Sequence, residues 1–320
     1  MLAKLRIDPY VAAIFGCVLL ASVVPARGAA ALAVDHATTV AVVTLFFLYG
    51  VRISPRDALE GARNIKLHAL VLAFTYLVFP LLGLLALPLR GGWLAPELYV
   101  GLIFLCALPS TVQSSIAFTS IARGNVAAAL CAASASNLLG VLITPLLVGA
   151  LLSKQGVTFS SDAIQKLVLQ LLVPFFGGQL LRRWLLGFVS RHKSVLSVVD
   201  RGSILLVVYG AFSEGVVSGL WSRVSLPAFA AVFALASLLL TIILLLTTYV
   251  SRKLGFRKED EITIVMCGSK KSLVSGVPIA TVLFPAAQVG VTVLPLMVFH
   301  QLQLVVCAWL ARRYAARRDG

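Results

Sequence analysis

The sequence predicts an all-α membrane protein with about ten transmembrane helices. Hydrophobic residues make up 60% of the 320 residues, charged residues only 12%, and the mean hydropathy is +0.99. These values exclude an ordinary soluble domain, in which about half of the residues are apolar and about a quarter are charged. The apolar residues are also gathered into stretches long enough to cross a hydrocarbon core about 30 Å thick, which takes roughly 20 helical residues.

Ten apolar segments follow one another along the chain, and each is a candidate membrane-spanning helix. In order, they cover residues 8–26, 37–51, 67–89, 97–119, 125–152, 163–181, 202–221, 226–250, 262–284 and 288–310. The first segment follows Lys4 and Arg6, so it also fits a signal peptide. Removing it would leave nine spans and spoil the alternation of basic residues described next. We therefore expect it to be the first helix.

The basic residues are distributed unevenly over the connections between these segments. With a cytoplasmic N-terminus, 20 of the 27 lysines and arginines lie in parts of the chain that share that side. Five lie on the opposite side: Arg27, Arg90, Lys154, Lys166 and Arg223. This bias is the positive-inside pattern, and it predicts cytoplasmic termini in an inner or plasma membrane. The net charge of +15 therefore reflects topology and does not indicate nucleic-acid binding.

The remaining composition predicts few other partners. Basic pairs at cytoplasmic helix ends predict contacts with anionic lipids; they are Arg182 with Arg183, Arg312 with Arg313, and Arg317 with Arg318. The five cysteines lie inside apolar segments without metal-ligand spacing, so they predict packing side chains and no disulfide framework. No HExxH motif, GxSxG motif or pair of aspartates within a span is present, so we expect neither an enzyme nor a cofactor.

Ten spans divide into two sets of five, residues 1–155 and 156–320. An odd number of spans makes the second set insert upside down, which is the inverted-repeat plan of many secondary transporters. The fourth segment of each half carries a helix breaker beside hydroxyl side chains, at 108–115 and at 267–275. Interrupted helices at corresponding positions of two repeats predict a binding site near the bilayer midplane.

Two adjacent lysines, Lys270 and Lys271, lie inside the ninth apolar segment. A lysine at the centre of a bilayer costs about 2.5–3.5 kcal/mol on insertion scales, so such a residue indicates a functional site. Helix ends exposed near Pro109 or Gly268 would add free N–H groups and a positive dipole end. The segment therefore predicts a site that attracts an anion or a carboxylate of the protein itself.

The candidate substrate- or ion-binding residues are polar side chains inside the apolar segments. They are Ser110, Thr111, Gln113, Ser114, Ser115, Asn137, Glu214, Ser269, Lys270, Lys271, Ser272 and His300. Glu214 could pair with Lys270 or Lys271, titrate during transport, or lie close enough to an interface to be solvated. His300 could be a hydrogen-bonding residue in helix packing or a proton relay.

The tract from Cys267 to Pro278, with Phe299 and His300 downstream, resembles the sodium/bile acid cotransporter 7 branch of the bile acid:sodium symporter superfamily. Further similarities lie at 49–53, 123–126, 144–147 and 174–179, so the resemblance covers nearly the whole chain. It implies a panel domain of helices 1, 2, 6 and 7 and a core domain in which helices 4 and 9 break and cross. The substrate cavity would lie between the two domains.

The same resemblance implies a changed cation site. Sodium-coupled members bind sodium through a Glu and a Gln on helix 9 and through hydroxyl groups on helices 4 and 5. Aligned with that pattern, the Glu position is Met266, the Gln position is Lys270, and the hydroxyl positions of helix 5 are Ala129 and Ala133. A Gln of helix 3 corresponds to Thr75. Hard cations need several oxygen ligands, so we expect no sodium coupling of the usual kind.

The sequence therefore predicts a secondary active transporter that moves a small organic anion by alternating access, with ammonium charge in place of sodium. Two alternatives stay open. One is a proton-coupled exchanger that uses Glu214 against Lys270 or Lys271. The other is a regulatory membrane protein that has kept the fold without flux.

Overall fold

The computed structural model describes residues 9–52, 64–153, 165, 168–219 and 225–317. Lys4, Arg6, Lys154, Lys166, Arg223, Arg318 and the predicted boundary between the repeats at residue 155 lie outside these residues. Over the described ranges the chain is helical, apart from short connections and one isolated β-bridge between Arg90 and Leu94. The all-α prediction is thus confirmed for this part of the chain.

The described residues form thirteen α-helices. In chain order they are α1 Pro9–Val23, α2 Ala29–Arg52, α3 Ile65–Ala73, α4 Phe79–Leu85, α5 Pro96–Ala107, α6 Gln113–Ile121, α7 Val126–Ser153, α8 Val173–Arg191, α9 Lys193–Val217, α10 Leu226–Lys253, α11 Lys258–Gly268, α12 Leu273–Leu283 and α13 Ala286–Ala315. A π-helical turn, Phe74–Val78, joins α3 to α4, and a second one, Val168–Leu172, precedes α8. A 3₁₀ turn at Leu87–Leu89 follows α4.

Six of these helical stretches are long and apolar enough to cross a membrane. They are Ala29–Arg52, Ile65–Leu89, Val126–Ser153, Lys193–Val217, Leu226–Lys253 and Ala286–Ala315. The fourth and ninth predicted segments do not qualify as single helices, because each is divided into two helices of 9–12 residues. The first corresponds to the 15-residue α1, and the sixth to α8, which carries Arg182 and Arg183.

Packing divides the chain into two units. The first unit comprises Met1–Arg52, Ser160–Arg223 and Val277–Gly290, and therefore holds α1, α2, α8, α9, most of α12 and the start of α13. The second unit comprises Ile53–Phe159, Val224–Gly276 and Val291–Gly320, and holds α3–α7, α10, α11 and most of α13. Each unit thus draws its helices from both halves of the sequence.

In the first unit, α2 and α8 approach each other closely through glycines. A Cβ atom added at Gly50 would collide with the carbonyl oxygen of Phe175, and one added at Gly178 with the carbonyl oxygen of Phe47. Small residues at a helix crossing let the backbones approach, which is the usual way that helices gain packing energy within membranes. An ion pair between Arg52 and Asp200 joins α2 to α9 at the polar end of the same unit.

In the second unit, the polar start of α11 is anchored by a buried carboxylate. Glu261 is 3% exposed and accepts hydrogen bonds from Lys258 at 2.7 Å, Arg252 at 3.1 Å and Tyr314 Oη at 3.3 Å. Burial opposes ionisation of Glu261, but the hydrogen bonds and charges of Lys258 and Arg252 outweigh it and hold its pKa below the usual value. The carboxylate therefore stays charged and ties α11 to α10 and α13.

The length of α11 sets the distance between this anchor and Gly268. The helix has 11 residues, which corresponds to a length of about 16 Å at 1.5 Å per residue. A helix of that length crosses about half of a hydrocarbon core of about 30 Å. Its end at Gly268 consequently lies far from the polar start, close to where the sequence predicts a midplane site.

Candidate functional site

Two interrupted helices contact each other inside the second unit. The first break, residues 108–112, separates α5 from α6, and the second break, residues 269–272, separates α11 from α12. The Ser272 N–H donates to the Pro109 carbonyl at 2.9 Å, and Ser110 Oγ donates to the Cys267 carbonyl at 2.6 Å. Each break loses backbone hydrogen bonds within its own helix. These two bonds to the other interrupted helix partly replace them.

The Lys271 ammonium group fills a ring of backbone carbonyls. Its Nζ donates to the carbonyl oxygens of Thr75, Cys106 and Leu108, each at 2.7 Å, and the residue is fully buried. We call these three acceptors the carbonyl ring. The three N–H donors of an ammonium group match the three acceptors one to one, and charge-assisted bonds of this length are the stronger kind.

The three carbonyls of the ring are free to accept from Lys271 because the backbone around each of them offers no N–H donor. In the π-helical turn the Phe79 N–H donates to Phe74, and the next residue, Pro80, has no N–H to offer to Thr75. Cys106 lies in the last turn of α5, and Leu108 just beyond it, where carbonyls have no partner within the helix. These carbonyls also form the negative end of the helix dipole, which favours a cation.

The Lys270 ammonium group lies in a different environment. Its Nζ donates to the Ser114 carbonyl at 2.9 Å and lies 4.0 Å from the centre of the Phe118 ring. Lys270 is also fully buried, yet among the described residues it has one carbonyl acceptor where Lys271 has three. The two adjacent lysines thus contact different elements, because the second break turns them apart.

Hydroxyl and amide side chains connect the two breaks. Thr111 Oγ1 lies 2.6 Å from Ser114 Oγ and 3.2 Å from Ser115 Oγ within the first break and the start of α6. Asn137 of α7 donates from Nδ2 to the Ser110 carbonyl at 2.6 Å and accepts from Ser275 Oγ at 2.9 Å. Asn137 therefore links the chain at the first break to the start of α12.

Of the other predicted site residues, two serines lie at the second break, whereas Gln113 and Glu214 lie elsewhere. Ser272 Oγ donates to Ser275 Oγ at 3.1 Å, whereas Ser269 Oγ bonds back to Val265 of its own helix at 2.6 Å. Gln113 is exposed at the start of α6. Glu214 is half-buried on α9 in the first unit, and every acceptor of the two ammonium groups described above lies in the second. Its pairing with Lys270 or Lys271 stays a prediction.

His300 and one residue that the sequence analysis omitted, Gln303, hold the backbone of Lys271. Gln303 is fully buried on α13; its Oε1 accepts from the Lys271 N–H at 2.8 Å, and its Nε2 donates to the Lys271 carbonyl at 2.9 Å. His300 Nδ1 lies 2.8 Å from the same Nε2. The sequence does contain one indication of Gln303: it is a polar residue three positions after His300 and therefore lies on the same face of the helix.

Tyr76 and Ser136 were also omitted from the candidate residues. Tyr76, in the π-helical turn, donates from Oη to the Ser136 carbonyl at 2.5 Å, and Ser136 Oγ accepts from the Ser110 N–H at 3.0 Å. Both are polar residues inside apolar segments, which was the signal available for them. Among the described residues, no group of three His, Cys, Asp or Glu side chains is placed to hold a metal ion.

Comparison with known proteins agrees with this architecture. Residues 8–316 match the profile of the SBF-like CPA transporter family. The chain is 54% identical to an uncharacterised protein of Pseudomonas aeruginosa, and 47% identical to YfeH of Escherichia coli, which is named as a candidate symporter. Both alignments cover 98% of this chain and 94% of the relative.

Sodium/bile acid cotransporter 7 of Danio rerio is 29% identical over 84% of this chain and 81% of its own length. The resemblance inferred from the lysine tract is thereby confirmed, and so is the expectation that the protein is a transporter and not an enzyme. A profile match over almost the whole length, together with relatives at about half identity, shows that this chain belongs to the SBF-like CPA transporter family.

Proposed function

We propose that this protein is a secondary active transporter that moves a small organic anion by alternating access, with a lysine ammonium in place of a bound sodium ion. Membership of a transporter family supports transport of a small solute. The main support for an ammonium group in place of sodium is the position of Lys271 Nζ. It lies 2.7 Å from each of the three carbonyl oxygens of the ring.

The charge of the site favours an anion as the transported solute. Two ammonium groups, Lys270 and Lys271, lie beside the breaks, and the acceptors described for them are backbone carbonyls without formal charge. Buried charge without a formal counter-ion is costly, so a negatively charged ligand stabilises such a site. Relatives named for sodium and bile acid, an organic anion, support the same class.

The positions aligned with sodium ligands are occupied by buried apolar side chains. Met266, Ala129 and Ala133 are each fully buried. Met266 packs in a cluster with Ile262 and Cys307, which leaves a thioether where the sodium-coupled pattern has a carboxylate. Sodium binds hard oxygen ligands, so this composition supports transport that does not depend on sodium.

We also propose ten transmembrane helices in two inverted repeats, residues 1–155 and 156–320, with a panel and a core domain. Four helices of the first unit, α1, α2, α8 and α9, correspond to the first, second, sixth and seventh predicted spans expected of a panel; the unit also includes Val277–Gly290 of the ninth and tenth spans. The basic-residue bias supports cytoplasmic termini. Reporter fusions at each end should both be active on the cytoplasmic side; activity of either end outside would contradict the ten-span arrangement.

An anion screen with cation replacement tests the function. Thermal unfolding of the detergent-purified protein is followed with a panel of carboxylates and sulfonates, taurocholate included, in sodium, potassium and choline chloride at equal ionic strength. At least one anion should raise the midpoint, by the same amount in all three salts, because no exchangeable cation is required. The rate of its uptake into proteoliposomes should also be the same in all three salts.

Two results would contradict the proposal. A saturable dependence of binding or uptake on sodium would show that a sodium site persists. Stabilisation by no anion, together with no uptake, would favour a membrane protein that has kept the fold without flux.

A further inference from the structure

The Gln303 carboxamide replaces two backbone hydrogen bonds that the second break removes. In a continuous helix the N–H and the carbonyl of Lys271 would bond four residues back and four residues ahead. Here the N–H donates to Gln303 Oε1 at 2.8 Å, and the carbonyl accepts from Gln303 Nε2 at 2.9 Å. One fully buried side chain therefore satisfies both backbone groups of the residue whose ammonium fills the carbonyl ring.

The backbone determines which way the carboxamide points. An N–H must face the amide oxygen and a carbonyl must face the amide nitrogen, so the orientation of Gln303 is unambiguous. Its Nε2 therefore also donates towards His300 Nδ1, 2.8 Å away. His300 Nδ1 also lies 3.4 Å from the Lys271 carbonyl. The shorter contact with Gln303 Nε2 favours Nδ1 as the acceptor, and therefore the neutral tautomer with its proton on Nε2.

We propose that Gln303 is a positioning residue for the Lys271 ammonium and that neutral His300 orients Gln303. The pair fixes the backbone at Lys271, so the side chain leaves the second break in the direction of the carbonyl ring. This inference rests on the proposed role of Lys271 as a fixed cation. Gln303 bonds to the backbone of Lys271, whereas the acceptors of the carbonyl ring belong to the π-helical turn and to the end of α5.

Lysine labelling distinguishes a specific role of Gln303 in positioning Lys271 from a general role in stabilising the fold. Purified parent protein, Gln303→Leu and Gln301→Leu are reductively methylated with formaldehyde, and labelling at each lysine is followed by mass spectrometry. In Gln303→Leu, Lys271 should be labelled about tenfold faster, the change expected when opening becomes easier by one to two neutral amide hydrogen bonds. Lys270 should keep its parent rate, because its acceptor is on α6.

Gln301 provides the matched control, since it is half-buried on the same helix two residues away. Gln301→Leu should leave both lysines at the parent rate. Unchanged labelling of Lys271 in Gln303→Leu would overturn the inference. A parallel increase at Lys270 and Lys271 would also overturn it, because it would assign Gln303 a general structural role. His300→Phe should raise labelling of Lys271 less than Gln303→Leu, since both bonds from the carboxamide to the Lys271 backbone remain.

A second measurement distinguishes failure of this inference from failure of the proposed function. In Lys271→Ala, n-propylammonium can replace the three carbons and the ammonium group that the substitution removes. The concentration that gives half-maximal thermal stabilisation should be the same with and without Gln303→Leu, because Gln303 does not contact the ring. No stabilisation by n-propylammonium would contradict the fixed-cation role, while the labelling result would still decide the role of Gln303. A shift in that concentration would overturn the positioning role.

Discussion

Lys271→Ala should cause the largest loss of stability of the substitutions considered, and n-propylammonium should restore much of it. Without the ammonium group, the carbonyls of Thr75, Cys106 and Leu108 lose a buried donor. A buried acceptor left without a partner costs about 1–3 kcal/mol. Three such groups cost a large fraction of the roughly 5–15 kcal/mol that keeps a typical protein folded. Thermal unfolding of the purified protein, with n-propylammonium titrated from the start of solubilisation, measures both effects.

Two controls make this result specific. 1-Propanol has the same carbon chain without the charge and should not stabilise Lys271→Ala. Lys270→Ala removes the ammonium donor from a single carbonyl, so its midpoint should fall less. A loss at Lys270 equal to or greater than that at Lys271 would contradict the assignment of the fixed cation to Lys271. The expected order would also mean that the alignment with sodium-coupled relatives, which puts Lys270 at the ligand position, is offset by one residue.

Asn137→Leu should produce the second largest effect. The amide joins the first break to α12 through the Ser110 carbonyl at 2.6 Å and Ser275 Oγ at 2.9 Å, and it also donates to Ala133 at 3.2 Å. Leucine has a similar size but no polar atoms, so the Ser110 carbonyl loses the Asn137 donor and Ser275 Oγ loses the Asn137 acceptor. Loss of two such links corresponds to about 2–4 kcal/mol. The fall in thermal midpoint, and in any anion-induced stabilisation, measures the consequence.

The matched substitution is Gln113→Leu, which removes an amide of the same region that is exposed at the start of α6. It should change the thermal midpoint little. An equal fall for Asn137→Leu and Gln113→Leu would show that the link between the breaks does not stabilise the site. Asn137→Asp should lower the midpoint at least as much as Asn137→Leu, since an ionised carboxylate keeps the acceptor for Ser275 but places an oxygen without a donor against the Ser110 carbonyl.

The interruptions could be predicted from the sequence because their signals are local. Pro109 and Gly268 each lie beside a run of hydroxyl side chains, and Gly268 also lies beside two buried lysines. The combination marks the breaks better than a proline alone, because Pro145, Pro278 and Pro295 lie inside continuous helices. The fourth and ninth predicted segments are indeed divided at the two breaks. The helical class of the described chain follows equally from the long apolar segments.

The division of roles between Lys270 and Lys271 could not be predicted in the same way. It depends on acceptors distant in sequence, above all the Thr75 carbonyl, which lacks a donor because Pro80 follows the π-helical turn. The role of Gln303 depends on where α13 passes the second break, which no local pattern encodes. The grouping of helices into two units likewise comes from packing between separated parts of the chain.

The carbonyl ring around the Lys271 ammonium has a consequence for the energy source of transport. A dissolved ion that binds on one side of a membrane and leaves on the other releases free energy from its gradient. An ammonium group on a lysine side chain stays with the protein in every orientation, so it contributes charge to the site and no work. An anion carried with this group alone would be driven by its own concentration difference and by the membrane voltage, which acts with about 2.3 kcal/mol per unit charge at 100 mV. With a negative cell interior, that voltage favours outward movement of the anion. Secondary active transport by this site therefore requires coupling to the gradient of a second solute.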